Sequence, residues 1–412
     1  MDRDHVLYIS DRIMRGSLIV YLLVMTIPHT AALRSILMIL SILGLILRGL
    51  VTRRFPIRTT PLDIPILIYT TIIVLRSVYS IDPLYSLTAV RKELLYQLLF
   101  FYLTVSAMDS PRYTRRVILI LIVTVTLVAG VGLFGFLTGD LIKEGRATSF
   151  FNSFGLAAFF TSMIMPMALS RFLCTRGWFR SIALGVLILC LAFMLVTMSR
   201  GAWISSLMAV MVLAALKDRR MLVLLLIGVI SAPWFLPPDI IERATTITRI
   251  FSLEENDSFG DRIWMWRSAI QMIRDRPWLG AGYGNRIFQQ LYPDYIHSQS
   301  SGQIFENAHN LYLQIVVETG LIGLASFLSI LAVVFYLICV QFRRKPLPMI
   351  ESQLLGIAGS FAVFLTFSFS TFRFENEIGI LFWILAGCIV SLHQTRFPLS
   401  SDDPAYASEF CS

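Results

Sequence analysis

Charge is scarce in this chain. Charged residues occupy 15% of its 412 positions, against about 25% in a soluble globular domain. Hydrophobic residues make up 56%, and mean hydropathy is +0.72. Spread evenly, that composition would give an aggregating soluble protein. Gathered into runs, it gives a membrane protein, and the runs exist: Val117 to Ala129 holds no charge. A soluble enzyme, a nucleic-acid binder and a disordered hub are thereby excluded. Lysine is scarcer still, 4 against 31 arginines. The five cysteines, Cys174, Cys190, Cys339, Cys388 and Cys411, fall in expected helices or on the expected cytoplasmic side, with neither a disulfide framework nor metal-ligand spacing. No repeat of solenoid period is visible. The first apolar run is not followed by a small-residue cleavage site, so no cleavable signal is expected.

A bilayer crossing needs about 20 mostly apolar residues. Twelve segments are expected to span: 16–33, 35–50, 62–79, 94–108, 117–138, 151–170, 181–199, 203–217, 221–236, 311–340, 353–371 and 377–393. The second, fourth, eighth and ninth are short, and one pair could be re-entrant. Helices are the default where no water reaches the backbone, and the period-2 alternation of a barrel is absent. The expected class is therefore an all-α integral membrane protein of about twelve transmembrane helices. Nine lie in residues 1–236 and three in 311–393. A large loop over 237–310 divides them, and a tail of 394–412 follows. Lys and Arg set orientation. With the N-terminus inside, 20 of the 35 fall on inside segments, eight on short outside connections and seven in the long loop. Both termini are then expected in the cytoplasm, and the loop in the periplasm.

The loop is where the pattern stops being generic. Its seven Arg face nine Asp and Glu, so it is no polybasic lipid arm. Residues 261–276 read as an amphipathic helix, with Ile263, Trp266, Ile270 and Ile273 recurring at helical spacing. Asp261 favours its N-terminal end and Pro277 ends it. Gly280, Gly282 and Gly284 follow; with no strand before them they read as a flexible turn that lets backbone approach, not as a dinucleotide motif. His309 stands where the chain re-enters the apolar region, followed by a long helix with Glu318, Gly320 and Gly323 in its first turns.

Four groups of residues together carry a resemblance: Arg262-x-x-x-Trp266-x-x-Ala269, Pro277-x-x-Gly280-x-Gly282, His309-Asn310-Leu311-Tyr312-Leu313 and Glu318-x-Gly320-x-x-Gly323. This set resembles the signature of the O-antigen ligase/polymerase superfamily, bacterial membrane glycosyltransferases acting on polyprenyl-diphosphate-linked glycans. Met198-Ser199-Arg200-Gly201-Ala202-Trp203 resembles its Ser-Arg-Gly element. The stretch from Gly145-Arg146 to Asn152 resembles its Arg-to-Asn stretch, with Phe151 where the family has Pro. The resemblance implies that His309 is the catalytic base, that Arg200, Arg262 and Arg146 bind the donor diphosphate, and that glycan moves from undecaprenyl diphosphate to an acceptor hydroxyl. In the ligase the acceptor is a lipid A–core sugar, and in the polymerase another lipid-linked repeat. Length, inside termini and one compact loop ending in His-Asn favour the ligase.

The residue chemistry agrees. Arg is a permanently charged planar fork that binds phosphate oxygens bidentately, and charge builds on a diphosphate as its bond to the sugar breaks. A His can take the proton from an attacking hydroxyl. The only Asp-x-Asp is Asp2-Arg3-Asp4, on the expected cytoplasmic side. No metal or other cofactor is therefore expected. Asn310, Trp266, Glu318, Arg373 and His297 are candidates for acceptor contact or support. Several of these residues have a plainer alternative: interfacial snorkelling for Arg200 and Arg76, an ion pair with Glu375 or Glu377 for Arg373, a mobile Ser/Gln-rich stretch for His297, and belt or core packing for Trp264, Trp266 and Trp278. Glu318 is costly near lipid unless paired. A twelve-helix transporter is the competing class, but transporters show related halves and polar midplane residues, whereas here the ionisable residues crowd one face. Membrane lipids are expected partners and nucleic acid is not.

Overall fold

The computed structural model describes residues 3–53, 57–235, 237–245, 260–297, 304–371, 374 and 376–395. The chain starts with α1 (Arg3–Val24), α2 (Ala31–Thr52) and α3 (Asp63–Val78). α4 (Pro83–Ala89) is capped by Asp82, whose side chain accepts from the Tyr85 N–H, and has Pro83 in its first turn. It runs through a π turn, Val90–Leu95, into α5 (Tyr96–Ala107). α6 (Pro111–Thr138) ends at Gly139, and the small hairpin β1 (Ile142–Lys143) and β2 (Arg146–Ala147) follows. Then come α7 (Phe154–Cys174), α8 (Gly177–Val196), α9 (Arg200–Leu216) and α10 (Arg220–Phe235). The long connection contains α11 (Pro238–Thr245), α12 (Gly260–Asp275) and α13 (Asn285–Leu291). The last three are α14 (Leu311–Arg343), α15 (Pro348–Phe367) and α16 (Asn376–Gln394).

Each of the twelve expected spans overlaps one of these helices. Among the described residues seven helices, α2, α6, α7, α8, α14, α15 and α16, are long and apolar enough to cross a membrane; α9 and α10 are apolar but shorter. The first boundary needs correction. The segment 16–33 is not one helix: α1 stops at Val24, and the chain turns through His29, at φ 61, before α2 begins. Pro28 explains this: it has no N–H to donate to Val24, four residues back, and its ring clashes with that carbonyl.

The centre of the bundle is α7 packed on α15. Every side chain from Leu156 to Arg171 is buried. The two helices approach at glycines: a Cβ on Gly359 would stand 2.5 Å from Pro166, and one on Gly356 3.1 Å from Met167. Helix association in lipid relies on such close packing, since lipid tails are as apolar as leucine. An aromatic cluster joins α14, α15 and α16, with Phe382 at 4.7 Å from Phe364, 5.0 Å from Phe374 and 5.4 Å from Phe361. By contrast α10 buries no residue.

The amphipathic helix exists, but its inner face differs from the expected one. Met265, Ser268, Ala269 and Met272 are buried, while Ile270 is 42% exposed. Ser268 and Ala269 are small, and a search for large apolar residues passes over them.

Candidate active site

The site is framed by a break in α14. Gly320 has φ 72 and ψ −176, far from helical values. A break here interrupts the bonds that the Leu321 and Ile322 N–H groups would make to Val317 and Glu318. All four groups find partners in one segment of the long connection. Ala281 N donates to Val317 O at 2.8 Å and Gly282 N to Glu318 O at 2.9 Å; Leu321 N donates to Pro277 O at 2.8 Å and Ile322 N to Trp278 O at 3.4 Å. The Pro277–Gly282 segment thus completes the ladder of a helix it is not part of. Gly280 and Gly320 are required for it: their φ values are positive. A Cβ on Gly280 would stand 2.5 Å from the Glu318 carbonyl carbon, and one on Gly320 would collide with the Trp278 carbonyl. The glycine run is therefore a clamped join rather than a flexible turn, and the expected long helix is two pieces. Gly282 abuts Ser80, and Ile81 N donates to Ala281 O at 3.4 Å, so the join also touches the turn after α3.

One turn of helix away, a second network holds His309. Its φ is 45, a left-handed conformation that non-glycine residues adopt only when surroundings enforce it. Four side chains do so. Asn307 Oδ1 accepts from His309 N at 3.0 Å. Asn310 Oδ1 caps α14, accepting from Tyr312 N at 3.0 Å and Leu313 N at 3.1 Å. Gln314 Oε1 accepts from Ala308 N at 2.9 Å, and Trp266 Nε1 donates to Ala308 O at 3.0 Å. Gln314 is itself anchored, its Nε2 donating to Glu318 Oε1 at 2.7 Å. Glu318, 6% exposed, also lines a cavity of about 30 Å³ with Glu93, Tyr69 and Tyr283, room for about one or two waters. The first segment of α14 points the positive end of its dipole toward the His309 turn.

The arginines stand on separate elements. Arg262 lies four residues before Trp266 on α12, hence on the same face, and Trp266 is bonded to the residue next to His309. Arg200 opens α9, which Ser199 caps by accepting from Ala202 N. Gly201 abuts Ser370 and Phe367, while Leu311 N donates to Ser368 O at 2.9 Å. The starts of α9 and α14 therefore share the turn that ends α15. Arg146, on β2, sets its guanidinium 4.5 Å from the Phe154 ring centroid; β2 packs on α8, whose end leads into Arg200. Arg373 lies outside the described residues.

His297 and Trp264 meet each other. His297 stacks on Trp264 with centroids 4.4 Å apart, and the Arg267 guanidinium is 4.6 Å from the same ring. His297 is thus a packed residue and Trp264 is occupied; Trp266 is engaged as well. Trp278, 64% exposed, is the tryptophan of the three with an open face. Missed from the sequence were Gln314 and Asn307; Tyr312 was part of a motif without a role, and its Oη donates to Leu365 O at 2.9 Å. For Gln314 the signal was a lone amide four residues after the cap of an apolar helix. Among the described residues, no group of three or more His, Cys, Asp and Glu side chains could hold a metal ion. Nearby, the Tyr295 hydroxyl donates to Asp275 Oδ2 at 2.7 Å, and that bond raises the phenol above its ordinary pKa.

Fold and composition define an all-α membrane protein in which the helix bearing Arg262 is tied, through Trp266, to the turn bearing His309. Residues 185–328, from α8 to midway along α14, match the family described as O-antigen ligase. That match covers about a third of the chain, and it supports the resemblance to the O-antigen ligase/polymerase superfamily drawn from the motifs. The matched stretch includes Arg200, Arg262, Trp266, His309, Asn310 and Glu318. No curated protein matches the chain.

Proposed function

We propose that this protein is an O-antigen ligase. It transfers glycan from undecaprenyl diphosphate to a hydroxyl of a lipid A–core sugar at the periplasmic face of the bacterial inner membrane, with both termini in the cytoplasm. His309 takes the proton of the acceptor hydroxyl. The acceptor oxygen bonds to the anomeric carbon as the bond from that carbon to the diphosphate breaks. Arg262, Arg200 and Arg146 neutralise the departing diphosphate, the task a divalent cation performs in other transferases. Arg373 supports the acceptor in this reading, and Trp278 offers a ring face to a sugar.

The observation that supports this reading most is the Trp266 to Ala308 hydrogen bond. It ties the helix bearing Arg262 to the strained turn bearing His309, inside the segment that matches the family. The strain at His309 points the same way, since over-determined left-handed residues cluster at functional sites.

The test uses purified protein, an undecaprenyl-diphosphate glycan, and either lipid A–core or a second lipid-linked repeat as acceptor. Lipid A–core should be glycosylated, and His309→Ala should reduce the rate by about 10²-fold or more, the usual range for a general base. Wild-type rates in folded His309→Ala would overturn the catalytic role. Elongation of the lipid-linked repeat with no product on lipid A–core would instead make the protein a polymerase of the same superfamily.

A further inference from the structure

Glu318 takes part in two networks at once. Its main-chain carbonyl accepts from Gly282 N at 2.9 Å, within the join. Its side-chain Oε1 accepts from Gln314 Nε2 at 2.7 Å, within the network at His309.

The bond to Gln314 decides more than where that side chain rests. A carboxamide can turn either end toward a neighbour, and its two ends have opposite hydrogen-bonding character. The Ala308 N–H can only donate, so it requires the oxygen, which stands 2.9 Å away. A carboxylate only accepts, so Glu318 requires the nitrogen. Both demands select the same orientation. Turned over, the amide would set N–H against N–H and oxygen against oxygen. Ala308, Gln314 and Glu318 are 0%, 3% and 6% exposed, and burial makes such a mismatch costly.

From Gln314 the constraint passes to His309 through the main chain. Ala308 N is held by Gln314, and Ala308 O by Trp266 Nε1 at 3.0 Å. The residue before His309 is therefore fixed at both its main-chain groups. Asn307 Oδ1 then accepts from His309 N at 3.0 Å. The φ of 45 at His309 is a conformation that persists only where the surroundings over-determine it. Helix geometry brings the parts together. Glu318 lies four residues after Gln314, one turn on and on the same face, and α14 departs from helical φ and ψ only at Gly320.

We propose that Glu318 is a positioning residue: through the Gln314 amide it holds the Ala308–His309 turn in the geometry that proton removal needs, and it ties that turn to the join at Gly282. The proposal rests on the catalytic role of His309 given above. What the position requires is an acceptor for Gln314, not a charge facing substrate.

The test uses detergent-solubilised protein carrying ¹³C-labelled histidine. The chain has five histidines, and the ring signal of His309 is the one lost in His309→Ala. Glu318→Met keeps the length of the side chain and offers Gln314 no comparable acceptor. It should move the His309 signal and lower turnover at saturating donor by about tenfold or more, since a small misplacement of a reacting group can cost about 10²-fold. KM for the donor should stay unchanged. Glu318→Gln keeps an acceptor oxygen and should leave the signal in place with most of the turnover. Melting temperatures are read alongside, because a variant that merely loses folded protein lowers turnover without moving the signal of the folded fraction. An unmoved signal with wild-type turnover in Glu318→Met would overturn the proposal. So would a displaced signal in Glu318→Gln, whether or not Glu318→Met folds, because that variant keeps the accepted bond. The signal is read without substrate. Wild-type turnover in His309→Ala therefore refutes the catalytic reading, whereas an unmoved signal in Glu318→Met refutes the positioning alone.

Discussion

Replacing Gly320 by Ala tests the join directly. In the native arrangement an alanine there meets two costs. Its backbone would occupy a region almost reserved for glycine, at about 1–3 kcal/mol. Its Cβ would also collide with the Trp278 carbonyl, a backbone obstacle that no rotamer change relieves. The alternative is for α14 to straighten. Leu321 N and Ile322 N would then return to Val317 O and Glu318 O, and Pro277–Gly282 would be released to water. Straightening gives up four bonds of the join and regains two in the helix, a net loss of about 2 kcal/mol at about 1 kcal/mol per bond. Alanine also favours helix over glycine by about 1 kcal/mol. The clash and strain therefore outweigh the two lost bonds, and the balance reverses. Hydrogen exchange reads the outcome residue by residue. Ala281 and Gly282 amides should lose protection by about 30-fold or more, the factor that roughly 2 kcal/mol represents, while Leu321 and Ile322 remain protected. Glycan transfer should fall as well, because straightening shifts the first segment of α14 and His309 with it. Gly130→Ala, where a Cβ meets nothing within 4 Å, is the control and should change neither. Native protection at Ala281 and Gly282 in Gly320→Ala would refute the account.

Three further outcomes are expected. Arg262→Lys keeps the charge but loses the planar fork, so transfer at saturating donor should drop by about tenfold or more while the fold persists; unchanged turnover would argue against a diphosphate contact there. Gln314→Ala leaves the buried Ala308 N–H without its acceptor, which should cost about 1–3 kcal/mol and lower the melting temperature and activity together. Tyr295 should ionise at a higher pH than an ordinary phenol. Because its folded pKa is raised, the bond to Asp275 stabilises the protein fully below the unfolded value near 10, and that contribution is lost as pH rises through the folded value. Phenolate absorbance, taken as the difference from Tyr295→Phe, should move down toward the ordinary value in Asp275→Asn; no movement would exclude the hydrogen bond as the cause.

The helices were readable because apolar runs long enough to cross a bilayer have few other fates. The grouping of Arg262, Trp266 and His309 was readable too, as spacing along the chain. That Trp266 meets the His309 turn depends on its indole finding the Ala308 carbonyl, 42 residues away, and no periodicity encodes that. The same holds for Arg200, whose neighbour Gly201 meets Ser370 across most of the second half of the chain. The break at Gly320 was hidden for a different reason. Glycine is common in membrane helices, so one more among Glu318, Gly320 and Gly323 does not announce a change of direction. The inner face of α12 was misread because two of its buried residues, Ser268 and Ala269, are small, and hydrophobic spacing weighs large ones.

A join made of main-chain groups is indifferent to most of the side chains it carries. Apart from its glycines, the segment from Pro277 to Gly282 is held by amides and carbonyls that every amino acid except proline supplies. Trp278 and Leu279, both exposed there, can be exchanged without unlatching it. The protein thus separates the hinge that sets its frame from the residues that meet a sugar, and a lineage can retune the one while leaving the other untouched.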